Sequence, residues 1–381
     1  MRFVEFKNVN VEATTLVEAA RIQHAEDFVF WDGSKGANRV LQSLINLEKG
    51  GHKDVTVKWD GSPAVIFGRD ENGEFIFTDK SGFVKKGGVA QSKSPKELEK
   101  ELLSRSGGKF ADDPDRQAFA SKMGRAFTVF EAATPKDHRG FFKGDLLYYT
   151  TPPVEDGYFK FKPQLVEYSV KQDSELGKKI AQSEAGIVIH REVDAEGGEG
   201  PLKFNAFDGN ELLVFPSVTA AAGPKLDTDG IAQLKAIISK DAAAMDSLLD
   251  PNKLTELKLK KLPDVFYAYM NSKVDTGLDN LGADFLDWVE NRNQLSGAAK
   301  KKIATYVTDN KNGFNALWEV VGTMMRVKDD IINQLDKQDI PVKQSINGQP
   351  GGEGYVLAHP EGDIKLVPRA TFTAANRAVQ R

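Results

Sequence analysis

Apolar residues recur at helical spacing between Ala37 and Leu47, at Val40, Leu41, Leu44, Ile45 and Leu47, and the stripe stops at Gly50-Gly51. From about residue 54 to 84 the pattern becomes that of strands. Val55 and Val57 alternate with polar neighbours, Ala64-Val65-Ile66-Phe67 runs unbroken, and Phe75-Ile76-Phe77 follows the turn signal Asp70-Glu71-Asn72-Gly73. Residues 94–123 read as a polar helical stretch, and strands are expected again at 126–131, 146–149, 158–161 and 187–190.

Near residue 225 the spacing turns helical and stays so to about 337, with stripes such as Leu234, Ile237, Ile238 and Leu317, Val320, Val321, Met324. After Pro341 strands resume at 354–358 and 363–367. Two clear strands in about forty residues cannot bury a core of their own. The final segment is therefore expected to return to the first sheet. The pattern implies an α+β chain whose core is formed by residues 1–224 and 338–381, with a helical insertion at 225–337.

Composition then sets limits. The chain has 381 residues, 40% of them hydrophobic and 28% charged, which is a globular mixture. Its longest apolar runs, such as Leu212-Leu213-Val214-Phe215, are too short for a bilayer, and residues 1–7 lack an apolar h-region. Neither a membrane span nor a signal peptide is expected. The absence of cysteine excludes disulfides, thiolate metal sites and cysteine nucleophiles, and agrees with a cytoplasmic location. A net charge of −4 does not by itself invite a polyanion, yet lysines cluster at Lys85-Lys86, at Lys258, Lys260 and Lys261, and at Lys300-Lys301-Lys302. Taken singly, each cluster reads more simply as a solvated loop or helix face.

The candidate chemistry begins at Thr56-Val57-Lys58-Trp59-Asp60-Gly61-Ser62-Pro63. A lysine at a strand end among apolar neighbours is partly desolvated, which favours the neutral amine, and a neutral amine attacks phosphorus or carbonyl carbon. Gly61 permits a sharp turn and close approach of a substrate to the backbone, and Asp60 stands beside that turn. Taken alone, the four residues from Lys58 to Gly61 read more simply as a common Asp-Gly turn after a solvated lysine. His24-Ala25-Glu26-Asp27 has the donors of a metal cluster, but reads more simply as a loop or helix start with solvated acids. The aromatic residues Phe266, Tyr267 and Tyr269 read as core.

The order of further motifs changes the weight of Lys58. Lys58-Trp59-Asp60-Gly61 resembles the K-x-D-G motif of the covalent nucleotidyltransferase superfamily, the ATP-dependent polynucleotide ligases and mRNA capping enzymes, in which the lysine takes the nucleotide. Asp79-Lys80-Ser81-Gly82 resembles the basic Ser/Gly segment that follows the nucleophile in phage RNA ligases. Phe127-Thr128-Val129-Phe130-Glu131 resembles the third motif, an apolar strand ending in the glutamate that holds the ribose. The segment from Phe141 to Tyr149 resembles the strand whose aromatic residue, here Phe142, stacks on the base. Glu353-Gly354-Tyr355 resembles motif IV with its metal-linked glutamate, and Ile364-Lys365-Leu366-Val367 resembles motif V, whose lysine contacts the α-phosphate.

That resemblance implies a nucleotidyltransferase domain of antiparallel sheets, ATP-grasp-like in its ligase adenylylation fold, with a helical inserted subdomain. It implies catalysis by Lys58, nucleotide binding by Asp60, Gly61, Lys80, Glu131, Phe142 and Lys365, and metal binding by Glu131 and Glu353. The implied cofactors are ATP and Mg2+ or Mn2+, because a growing charge on the α-phosphate needs cations and hard metals prefer oxygen donors. Ser62 after the glycine is closer to phage RNA ligases than to capping enzymes or DNA ligases, and few residues follow Arg369, so no trailing OB-fold is expected. The expected partners are RNA or DNA strand ends, joined as 5′-phosphate to 3′-hydroxyl by a monomer in the cytoplasm, a host's if the chain is phage-encoded. A DNA nick-sealing ligase with a helical clamp, and an inactive binding relic, are the alternatives. Two departures bear on these: Asp363 stands where motif V has its first lysine, with Arg369 the candidate to compensate, and Glu184-Ala185-Gly186 is a rival motif IV.

Overall fold

The computed structural model describes residues 23–79, 82–83, 92–203, 207–274, 278 and 280–372; Lys80, Lys85 and Lys86 lie outside them. In chain order the first elements are β1 (Gln23–His24), α1 (Phe28–Glu48), β2 (Val55–Val57), β3 (Ala64–Arg69) and β4 (Phe75–Asp79). Next come α2 (Pro95–Ser104), α3 (Pro114–Ala133), β5 (Gly140–Tyr148), β6 (Val154–Glu155), β7 (Tyr158–Phe161) and β8 (Glu167–Lys171). They are followed by α4 (Glu175–Ile180), β9 (Ala185–Val193), β10 (Glu199–Pro201) and β11 (Leu212–Val214). The helical block is α5 (Thr228–Leu248), α6 (Pro251–Glu256), α7 (Leu262–Lys273), α8 (Leu281–Glu290), α9 (Gly297–Asp309) and α10 (Lys311–Leu335). The chain closes with β12 (Val342–Ile346), β13 (Gln349–Pro350), β14 (Tyr355–Leu357) and β15 (Ile364–Leu366). The class is mixed α+β with three largely antiparallel sheets.

Contacts divide the chain into two compact units. The first takes Met1–Lys58, Thr219–Asp339 and Glu353–Arg381; the second takes Trp59–Val218 and Ile340–Gly352.

In the first unit, α10 buries Phe314, Leu317, Val320, Val321, Met324 and Ile331 along one stripe, the spacing an amphipathic helix needs. Around it Phe30, Phe266, Phe285 and Trp318 meet ring to ring, with Phe266 and Phe285 centroids 5.2 Å apart. Phe266 and Tyr269 are thus core, as expected. Three helices of the block, α5, α6 and α9, start on side-chain caps: Asp227 accepts from Asp229 N–H, Asp250 from Lys253 N–H and Ser296 from Ala299 N–H. The sheet of this unit has the order β1-β15-β14-β2, so the last strands pair with the early strand β2, antiparallel, and with β1, parallel.

In the second unit, a six-stranded sheet runs β10-β9-β5-β3-β4 with β11 beside β9, and a five-stranded sheet runs β13-β12-β8-β7-β6. One face of the larger sheet, with Val65, Phe67, Phe77, Phe142 and Ile187, packs on Leu98 and Leu102 of α2 and on Met123, Phe127 and Phe130 of α3. The strand expected at 126–131 is therefore helix. Asp113 caps α3 by accepting from Asp115 and Arg116 N–H, and Ala120, Met123, Phe127, Phe130 and Ala133 are buried at helical intervals. No helix among the described residues is long and apolar enough to cross a membrane.

Candidate functional site

Lys58 follows the last residue of β2, and its backbone N–H donates to the Gly354 carbonyl at 3.0 Å, extending the β2–β14 ladder by one step. Its Nζ contacts Glu353 Oε1, in a pair whose side chains keep only 19% and 12% of their exposure. Val55, Val57, Tyr355, Leu357, Ile364 and Leu366 point into the core. Thr56, Val356, Lys365 and His24 make one row across the opposite face. Lys58, two residues beyond Thr56, continues on that face. Glu353, just before β14, thus meets Lys58, just after β2, and Lys365 stands on the neighbouring β15 in the row of Val356 and Thr56.

The Glu-Gly step has a local physical cause. Gly354 has φ of +96°, and a Cβ there would stand 2.1 Å from the Leu366 carbonyl oxygen. Only glycine lets β14 lie this close to β15. Of the two glutamates weighed for motif IV, Glu353 is the one in contact with Lys58; Glu184 is exposed at the start of β9, its N–H given to the Glu211 carbonyl at 2.8 Å. Asp363 accepts from His359 N–H at 3.2 Å and so closes the turn between β14 and β15.

Arg369 does not take the place of a phosphate-binding lysine. It is buried, with Asp27 bound through both carboxylate oxygens at 2.6 and 2.8 Å and Glu26 at 3.2 Å. Lys328 from α10, equally buried, grips Glu26 at 2.9 Å. Glu26 and Asp27 are therefore neither solvated nor a metal cluster. Burial opposes ionisation of Glu26, but Lys328 and Arg369 outweigh it and hold the carboxyl below its usual range, whereas burial pushes Asp27 up to about 6 against the pull of Arg369. Beside them His24 is lowered to about 3, by burial first, with Arg369, Lys328 and Lys365 adding to it against Glu26.

In the second unit, Trp59 buries its ring against Tyr168 and Phe215, both with centroids at 4.9 Å, and anchors the start of the Asp60-Gly61 turn. The Asp60 N–H donates to Tyr168 Oη at 2.6 Å. A Cβ on Gly61 would meet the Leu146 carbonyl oxygen at 2.6 Å and Asp145 Cβ at 2.8 Å, so the turn lies directly on β5. Ser62 N–H donates to the Leu146 carbonyl at 2.8 Å, and Leu146 N–H to the Pro63 carbonyl at 3.1 Å. Glycine is required here by contact with β5, where the sequence had suggested a sharp turn and the approach of a substrate.

Two expected nucleotide residues are placed differently from the expectation. Phe142 is fully buried in the sheet core, 5.4 Å from Phe67, 5.2 Å from Phe207 and stacked on His138 at 4.6 Å, so its ring is a core ring. Glu131 lies exposed on α3 instead of at a strand end, and its main-chain carbonyl accepts from Arg69. A family model described as a family of unknown function, DUF6267, matches residues 20–381. The chain belongs to that family. No curated protein and no solved structure matches it.

This DUF6267 chain also carries a pair that no sequence motif marked. Asp145 on β5, where the Gly61 turn rests, meets His190 Nε2 from β9 at 2.9 Å, with both side chains partly exposed. The signal lay in the same Phe141–Tyr149 segment, at the acid after Gly144, where the aromatic residues dominate the pattern. As to metal, no group of three or more His, Asp or Glu ligands forms among the described residues.

Proposed function

We propose that the chain is an ATP-dependent polynucleotide ligase, an RNA ligase by its motif I, which takes AMP onto Lys58. The observation that carries this reading is the Lys58–Glu353 pair, at the end of strands in a sheet that also bears Lys365. The resemblance groups those three residues in one functional set, and in support of it they lie on or beside neighbouring strands of one sheet. In the proposed step Glu353 receives the proton of the Lys58 ammonium, and Nζ attacks the α-phosphorus of ATP. A phosphorus–nitrogen bond forms as the phosphorus–oxygen bond to pyrophosphate breaks. Lys365 stabilises the charge that gathers on the α-phosphate. AMP then passes to a 5′-phosphate end, and a 3′-hydroxyl displaces it to join the strands. A divalent cation bound at Glu353 would lower the charge on the phosphates.

Incubation with magnesium and α-labelled ATP, followed by a denaturing gel, tests this. Wild type should retain label, Lys58→Ala should retain none, and Glu353→Gln should lose at least about a hundredfold in labelling rate. Wild type that stays unlabelled with ATP and GTP, with magnesium and manganese, after a check for prior adenylylation, would leave the ligase reading without support. Sealing of single-stranded RNA compared with nicked DNA then separates the two ligase classes.

A further inference from the structure

Two of the lysine clusters noted in the sequence meet at one place in the first unit. A groove of about 580 Å³ has Leu257, Lys258 and Leu259 on one wall and Lys301, Lys302 and Tyr306, from α9, on the other. Glu256 and Asp309 also line it, but Lys260 and Lys261 are exposed in the adjoining turn. Among the described residues, none of Lys258, Lys260, Lys261, Lys301 and Lys302 is held in an ion pair. In a chain of net charge −4, the groove's lining is positive on balance, with Lys258, Lys301 and Lys302 against Glu256 and Asp309, and Lys260 and Lys261 add to it from the adjoining turn.

The backbone at Lys258 is the second observation. Helix α6 ends with Lys258 N–H donating to the Thr255 carbonyl at 3.0 Å and Leu259 N–H to the Leu254 carbonyl at 2.7 Å. These are the two bonds of a helix terminus whose left-handed residue is ordinarily glycine. Here Lys258 holds that position, with φ of +56°. A side chain kept where a hydrogen atom fits better points to a use for that side chain. Beside it Leu257 is 40% exposed, an apolar surface in the same groove.

We propose that this groove is a docking site for a single-stranded nucleic-acid segment. Phosphates sit on Lys258, Lys301 and Lys302, and a base or ribose lies on Leu257. Lysines along a groove that also offers an exposed apolar contact match a strand that carries phosphates on one edge and bases on the other. An anionic membrane fits less well, since Leu257 and Leu286 are the exposed large hydrophobic residues described in this helical block, and a surface-seeking helix needs a continuous apolar face. The site stands whether or not Lys58 takes AMP, and its test uses no ATP.

The test is fluorescence anisotropy of a labelled single-stranded RNA, and DNA of the same sequence, titrated with the full chain over a range of salt. Lys301→Glu with Lys302→Glu should weaken binding about tenfold or more. The slope of log affinity against log salt should fall by about 0.7 for each phosphate that is no longer neutralised. Lys258→Gly should weaken binding while its unfolding midpoint stays level or rises, which separates a missing phosphate partner from a damaged fold. Unchanged affinity and slope in these variants would overturn the proposal. Vesicles of phosphatidylserine and phosphatidylcholine form the second arm. Vesicle binding abolished in the variants, with oligonucleotide binding kept, would also overturn it.

Discussion

Gly354, Gly61 and Lys58 show how a residue type becomes a requirement. At Gly354 the positive φ and the nearby Leu366 carbonyl leave room for a hydrogen only. Gly354→Ala must therefore push β14 from β15, at an expected cost of about 2–4 kcal/mol, and the main-chain partner of Lys58 moves with it. Urea denaturation measures that cost; a change below about 0.5 kcal/mol would show that the strands can part freely. The type and order of Lys58, Gly61, Glu353 and Lys365 were legible in the sequence because each sits in a short, spaced motif. The Asp145–His190 pair was not, because its members lie on neighbouring strands and no spacing announces them.

For the elements, most strands and helices follow from periodicity, and the failures are instructive. Phe127-Thr128-Val129-Phe130 is rich in residues that favour strands, and so was expected to be one. In the fold, Phe127 and Phe130 lie three apart on α3 and both press on the β-sheet, so burial of a helical stripe overrides local preference. The three-residue strands β2, β14 and β15 were visible only as short apolar alternations, and their mutual pairing could not be read. The end of α6 yields a prediction at this scale. Lys258→Gly removes the strain of a left-handed lysine and should stabilise the chain by about 1 kcal/mol, read from the urea midpoint at constant m-value. A drop in stability would mean that the lysine stem contributes more by packing than its backbone costs.

At the scale of the whole molecule, the buried charges Glu26, Asp27, Lys328 and Arg369, with His24 near them, bring the turn after β1, α10 and the segment after β15 together within the first unit. Their titration has a definite sign. His24 ionises near 6.5 when free and near 3 in the fold, so as pH falls below about 6.5 the unfolded chain takes a proton that the folded chain refuses. That favours unfolding. Asp27, raised from 3.8 to about 6, works in the opposite direction between those values, and Glu26 adds its own loss of stability as pH falls from 4.5 towards 2. Relative to wild type, His24→Gln should therefore gain stability as pH drops from 6.5 towards 3, by up to about 1.4 kcal/mol per pH unit, measured as the difference in urea stability at each pH. A difference that does not change with pH would show that His24 protonates in the folded chain as it does in the unfolded one. By itself the sequence determined the alternation of strands and helices, the glycines at tight contacts and the order of the candidate motifs, all of which depend on neighbours along the chain. Only the tertiary structure decided that Glu353 meets Lys58, that Arg369 is bound to Asp27 instead of facing the sheet, that Phe142 is core, and that two lysine clusters share a groove. Those outcomes depend on which distant strands pair and which charges become buried together, and a local pattern carries no record of either.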